Sequence, residues 1–206
     1  MTDQPVSHRV YVIPGLGDPN WAIGSLVKRL KKHQDLCQPV VITPERLGWG
    51  KDIQTNAHRV YEVIEELQKG YDGEVSIIGH SLGAVIGKYI SYHTDLKVKT
   101  FTSISGPHNG TKLANLALPV GILKDLKPKS GFMDWHNIWD PEYTKVLCLK
   151  PQFEELIWPH SSMEIPGADI VTIERTTHLS VLWAFQTYAE IIAHLLWDTN
   201  HQVFLE

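Results

Sequence analysis

Cysteine is scarce in this chain. Cys37 and Cys148 stand far apart in the 206 residues and share no metal-like spacing with any histidine. That leaves two free, buried thiols as the reading, as expected of a chain in a reducing compartment. No His-Glu-x-x-His or paired-cysteine spacing occurs, so neither a metal nor another cofactor is expected. Positive charge is also in short supply, with 19 Lys and Arg against 23 Asp and Glu, a net charge of −4 and a pI near 6.2. Nothing in that balance attracts a nucleic acid. The one basic cluster, Lys28-Arg29 and Lys31-Lys32, reads as the solvated face of a helix ending near His33. The first residues, "MTDQPVSHRV", hold no apolar core and no small-residue cleavage site, and no run approaches the length of a membrane span. A cytoplasmic location and no membrane span are therefore expected. Internal repeats, low-complexity tracts and linkers are absent too, so residues 1–206 are read as one domain.

What is present is an alternation of two periodicities. "RVYVIPG" is a β-branched and aromatic run stopped by Pro14-Gly15, with a strand expected from Val10 to Ile13. "WAIGSLVKRLKKH" has apolar residues at helical spacing, and "PVVIT" is a second buried strand. Asp52 to Lys69 forms an amphipathic helix stopped by Gly70. "EVSIIG" gives the third strand, followed by a helix from Leu82 to Tyr92. "KTFTSIS", "KVLCL" and "DIVTIE" give three more, and a last helix is expected from about Ser180 to Trp197. Strands apolar enough to be buried on both faces, alternating with helices, predict an α/β fold with a mostly parallel six-stranded sheet flanked by helices. Between residues 106 and 144 no strand is expected. That aromatic stretch is too long for a plain connection and reads as a lid-like or pocket-forming insertion after the fourth strand.

The chemistry starts at "VSIIGHSLGAVIG". Gly79-His80-Ser81-Leu82-Gly83 fits Gly-x-Ser-x-Gly, the pattern of a strand-to-helix elbow that lifts a serine hydroxyl above the C-terminal edge of a sheet. An apolar strand precedes it and an apolar helix follows. Glycines two residues to either side allow the sharp turn and the close strand–helix approach it requires. Ser81 is therefore the candidate nucleophile. The alternative is a hydroxyl that merely caps the following helix.

A serine needs an adjacent base. His178, in "RTTHLS" after the sixth strand, lies at the same sheet edge and comes last in the chain, as an elbow serine's base does. His108 follows the fourth strand at that edge as well, but precedes any plausible acid, and is read as a pocket-wall residue. His80 fills the variable elbow position and is read as packing. Asp140 and Asp169 stand at the wrong edge. The loop after the fifth strand, "KPQFEELIWPH", offers Glu154 and Glu155, either able to accept the His178 ring N–H. One of the two is expected to be a solvent-facing charge, and Glu154 is the preferred acid. For a developing oxyanion the donors would be the Leu82 N–H and, from the glycine-rich loop after the first strand, the Leu16 N–H.

With these segments in hand, the chain resembles compact lipases and esterases of the α/β-hydrolase family, including small bacterial lipases and the PGAP-like branch. "VIPGLGD" resembles the family's oxyanion turn, "IIGHSLGAVIGKY" its elbow, "SISGPHNGTKLA" the segment after the fourth strand, and "TIERTTHLSVL" its histidine loop. "LKDLKPKSGFMDW" is similar to a stretch that shapes the acyl pocket in some members. "EELIWP" aligns with the string that carries the family's acid, which places Glu154 at that position. Pro14 departs from the histidine common in the oxyanion turn, and glutamate departs from the usual aspartate. The resemblance implies a minimal α/β-hydrolase fold and hydrolysis of a small-molecule ester or acyl substrate through an acyl-enzyme. Substrate-binding candidates are His108, Phe132, Met133, Trp135 and Trp139, with Ile138 beside them. A thioesterase, an acyltransferase and a non-catalytic ligand-binding protein of the same fold are the competing expectations.

Overall fold

In the computed structural model, residues 8–42, 50–116, 121–137 and 144–196 are described. Six strands form one sheet: β1 (His8–Ile13), β2 (Cys37–Val41), β3 (Val75–His80), β4 (Val98–Ile104), β5 (Lys145–Phe153) and β6 (Asp169–Thr177). Their order across the sheet is β2-β1-β3-β4-β5-β6, and every adjacent pair is parallel. The helices are α1 (Asn20–Leu30), α2 (Ile53–Gln68), α3 (Leu82–His93), α4 (Gly121–Asp125), α5 (Gly131–His136) and α6 (Phe185–Leu196). Among the described residues no helix is long and apolar enough to cross a membrane.

Alternation along the strands builds two cores. Tyr11, Ile13, Ile77, Phe101, Val146 and Cys148 point to one face, where Ile53, Val60 and Ile64 of α2 and Val85 and Ile86 of α3 cover them. Val10, Val12, Ile78, Ile104, Leu147 and Leu149 point to the other face, under Leu26 and Leu30 of α1 and Ile191 and Leu195 of α6. Burial on both faces accounts for the unbroken apolar character of β3, every residue of which is buried. Asp52 caps α2 by accepting from the Thr55 N–H at 2.6 Å. Both cysteines are free and buried, which pushes the Cys37 thiol up to about 11 and the Cys148 thiol to about 12.

Three elements differ from the sequence-based expectation. β5 does not stop at Leu149 but runs on to Phe153, and β6 continues past Glu174 to Thr177. The expected last helix is divided: Ser180–Trp183 is a 3-10 turn, Ala184 is extended, and α6 begins at Phe185. The described part of the insertion carries a 3-10 turn at Lys112–Leu116 followed by α4 and α5, with turns between them.

Among the described glycines, the tightest approach to other backbone is made by Gly83, in the first turn of α3. A Cβ there would lie 2.1 Å from the Ile13 carbonyl oxygen and 2.4 Å from that of Pro14. Both are main-chain atoms at the end of β1, so relief requires moving α3 off the sheet. Gly83→Ala should cost about 3 kcal/mol, an overpacking penalty at the upper end of the usual range. The thermal midpoint should fall by roughly 10 °C in a chain of this size. Gly24→Ala in α1, where a Cβ meets nothing within 4 Å, serves as the control and should leave the midpoint unchanged or slightly raised.

Candidate active site

Each residue of interest stands one position past a strand. Ser81 follows β3, Glu154 follows β5 and His178 follows β6, all at the C-terminal edge of the parallel sheet. In open parallel sheets this is the edge outside which ligands bind.

Ser81 has φ 52° and ψ −121°, a left-handed conformation that costs a non-glycine residue on the order of 1–3 kcal/mol. Its N–H donates to the Ile104 carbonyl at 2.8 Å, which anchors the turn to β4. Gly15 in the loop after β1 lies hard against it, since a Cβ at Gly15 would be 2.8 Å from the Ser81 Cβ. That contact brings the Pro14-Gly15-Leu16 backbone beside the hydroxyl-bearing residue. The Leu82 N–H opens the first turn of α3, at the positive end of the helix dipole.

Glu154 and His178 meet because β5 and β6 end together. Phe153 pairs with Thr177, so the next residue on each strand is delivered side by side. A register shift between Pro151 and Phe153 marks the point where the two strands re-align. The His178 Nδ1–H donates to Glu154 Oε1 at 2.8 Å and to Oε2 at 3.0 Å. Glu154 Oε1 also accepts from the N–H groups of Leu156 at 2.8 Å and Ile157 at 3.1 Å. Burial pushes this carboxyl up, but the His178 hydrogen bond, its charge and the two backbone donors outweigh burial and hold it below the usual carboxylate range. An ionised Glu154 fixes the proton of His178 on Nδ1 and leaves Nε2 as an acceptor. Glu155 is not the idle charge expected of one member of the pair: its Oε2 accepts from the His178 backbone N–H at 3.0 Å. One glutamate holds the ring and its neighbour holds the main chain.

The elbow histidine has a larger part than packing. His80 is 1% exposed, and its Nδ1–H donates to Asp18 Oδ2 at 2.6 Å. On its other side Nε2–H donates to the His178 carbonyl oxygen at 2.9 Å, and the two imidazoles lie 4.9 Å apart. Asp18 Oδ2 accepts the Gly15 N–H as well, at 2.6 Å. Burial raises the Asp18 carboxyl, while the His80 hydrogen bond and charge, with smaller help from Gly15 and His178, bring it below its ordinary value. Sequence reasoning missed both roles. The available signal was an aspartate three residues beyond Gly15 in "GLGDPNW", placed to fold back on that glycine's N–H.

The substrate-binding candidates fare differently. His108 is 1% exposed, its Nε2 is 2.7 Å from Ser103 Oγ, and burial holds its imidazole well below the usual range. It is an interior residue rather than a pocket wall. Met133, also 1% exposed, belongs to the core beneath α5. Phe132 and Trp135 pack on the second half of α3, Phe132 stacked on Tyr89 and Trp135 on His93 at 4.0 Å. Tyr89 is eight residues along α3 from Ser81, about 12 Å at 1.5 Å per residue. Both aromatics line a separate cleft of about 480 Å³ with Asp52, Gln54 and Lys124, whose lining includes neither Ser81 nor His178. Trp139 and Ile138 lie outside the described residues. Among the described residues, no group of three or more His, Cys, Asp or Glu side chains is arranged to hold a metal ion.

Comparison with known proteins agrees with this architecture. Residues 48–129 match a family described as "Putative serine esterase (DUF676)", a stretch that contains Ser81 and ends before Glu154 and His178. No curated protein matches the chain. Lipase B of Aspergillus fumigatus is similar in structure with a TM-score of 0.74 at 18% identity, over 92% of this chain and 52% of that one. This chain thus spans about half the length of that lipase. The mature form of Bacillus licheniformis lipase BlEst2 gives a TM-score of 0.75 at 15% identity, over 93% of both chains. A structure from Nitrososphaera gargenis, reported in work on its carboxylesterases, gives 0.70 at 14% identity, over 94% of this chain and 92% of that one. By its six parallel strands, their order and these neighbours, the chain has the α/β-hydrolase fold.

Proposed function

We propose that this protein is a serine esterase that cleaves carboxylic esters through an acyl-enzyme. The observation that carries the reading is the convergence just past β3, β5 and β6. There a serine is held in left-handed backbone, and a histidine carries its proton on the nitrogen facing a buried glutamate. In this reading Ser81 attacks the ester carbonyl, and Nε2 of His178 takes its proton and returns it to the leaving alcohol. Glu154 fixes the tautomer and stabilises the imidazolium. The Leu16 and Leu82 N–H groups receive the negative charge of the tetrahedral intermediate. Water then repeats the sequence on the acyl-enzyme and frees the acid.

Exposed apolar side chains near the acid support an apolar acyl or alcohol group as substrate. Leu156 and Trp158 belong to the loop that holds Glu154, and the Lys112 N–H bonds to the Trp158 carbonyl, drawing Leu113 and Leu116 alongside. The family match over the elbow and the lipase neighbours support the same class.

The test is covalent trapping. A fluorophosphonate should add one phosphonyl group to the protein, located by mass spectrometry on the peptide bearing Ser81. Failure of the wild type to react, or label on another residue, refutes the reading. Nitrophenyl esters of increasing acyl length, run beside acyl-thioesters, then distinguish an esterase from a thioesterase.

A further inference from the structure

We propose that His80 is a positioning residue which, with Asp18, ties the oxyanion loop to the main chain of His178, and that the charge of this pair tunes the pH at which His178 serves as base. The proposal rests on the esterase reading for its kinetic consequences, though not for the tie itself.

Hydrogen-bond bookkeeping fixes how the tie is made. The His178 carbonyl can only accept, so His80 Nε2 must carry a proton. An ionised Asp18 also only accepts, and it already takes the Gly15 N–H, so His80 Nδ1 must carry a proton too. The imidazole is thus a two-ended donor between a carboxylate and a peptide carbonyl. At one end, Asp18 holds the Gly15 backbone, which presses on Ser81 and leads into Leu16. At the other, His80 holds the main chain of the candidate base. One side chain, at the variable position of the elbow, therefore connects the segment of oxyanion donors to the segment of the base.

Electrostatics follow from the same contacts. The charged and titratable groups that meet His178 are Glu154 and Glu155 from the loop after β5 and His80 from the elbow, with Asp18 from the β1–α1 loop one hydrogen bond behind. The side chains of Asp18 and His80 are 6% and 1% exposed, so solvent screens their charges poorly. As a pair they nearly cancel. Removing one charge exposes the base to the other.

Three variants test this by kinetics and one spectrum tests it without turnover. His80→Gln keeps an N–H able to reach the His178 carbonyl but leaves the Asp18 carboxylate uncompensated. It should lower kcat about tenfold with KM little changed, and move the acid limb of kcat/KM up by about 0.5–1 pH unit. Asp18→Asn removes the negative charge and should move that limb down by a similar amount. The double variant should bring the limb back near its wild-type position while kcat stays low. A role in packing alone would lower kcat without moving the limb. An unmoved limb in both single variants therefore overturns the proposal, as does a kcat within threefold of wild type in both. Circular dichroism melts establish that each variant is folded. The ring-nitrogen spectrum of 15N-labelled wild type gives an independent reading at pH 7.5. Two slowly exchanging N–H protons on His80, one of them lost in Asp18→Asn, support the tie, and a single one overturns it. Because that spectrum needs no ester, a protein that hydrolyses nothing refutes the proposed function while the tie is still judged.

Discussion

Ser81→Ala is expected to lower kcat/KM for nitrophenyl esters by a factor of about 10⁵–10⁶, and His178→Ala to do nearly the same, with the double variant no worse than either. The reason is that the two act as one unit. A serine hydroxyl without a base is a poor nucleophile, and a base without the hydroxyl has only water to activate. The backbone at Ser81 is held by atoms that alanine does not disturb: its N–H on the Ile104 carbonyl, Gly15 against its Cβ and Gly83 against the end of β1. The loss should thus appear in kcat, with stability unchanged or improved, because alanine keeps the fold and removes only Oγ. A residual rate far above solution hydrolysis would come from the Leu16 and Leu82 amides. Steady-state kinetics with melts on the same samples check both halves. A Ser81→Ala protein retaining more than about a hundredth of wild-type turnover would assign the nucleophile elsewhere.

The second large effect is on the acid. Glu154→Gln should depress kcat by about 10⁴, whereas Glu155→Gln should cost about tenfold or less. Glu154 receives the ring proton and two backbone N–H groups, so an amide in its place must turn one N–H toward existing donors or toward His178 Nδ1. The first sets donor against donor at the backbone N–H groups, and the second makes Nδ1 the acceptor and places the proton on Nε2, where the lone pair is needed. Glu155 holds only the His178 main chain from an exposed position, and a glutamine oxygen can accept that N–H equally well. The reverse order of effects would transfer the role to Glu155. The same variants have a stability signature with a definite sign. Glu154 sits below its ordinary 4.5 in the folded chain, so its ionisation stabilises the fold in full above that pH and the benefit is lost as pH falls through the folded value. Wild type and Glu154→Gln should therefore differ most in melting temperature near neutrality and converge as the pH falls below the ordinary carboxylate value.

Element order and strand direction were legible because each strand is an apolar run bounded by helical periodicity, and β3 with its elbow is the clearest of them. The far half of β5 was not legible because Lys150-Pro151-Gln152 reads as a loop. The structure explains how proline is accommodated: pairing with β4 ends at Ile104 and Leu149, so beyond that point β5 bonds only to β6 and a missing N–H on its outer side costs little. Ser81, Glu154 and His178 could be singled out because elbow spacing and chain order constrain them. Asp18 and His80 could not, since a buried ion pair 62 positions apart leaves no periodic trace. The insertion misled for a different reason. Phe132 and Trp135 have the composition of a ligand wall, but their rings find Tyr89 and His93 on α3 first. Aromatic content alone does not distinguish a lining from a packing surface.

Because β6 is an edge strand, with most of its side chains facing solvent, the proposed base is delivered by a strand paired on one side only. Fraying there gives up one strand pairing and the burial of Ile173, and the free energy of such a local opening lies below that of global unfolding. Heat or mild denaturant should then silence turnover while the circular dichroism spectrum is still that of the intact sheet.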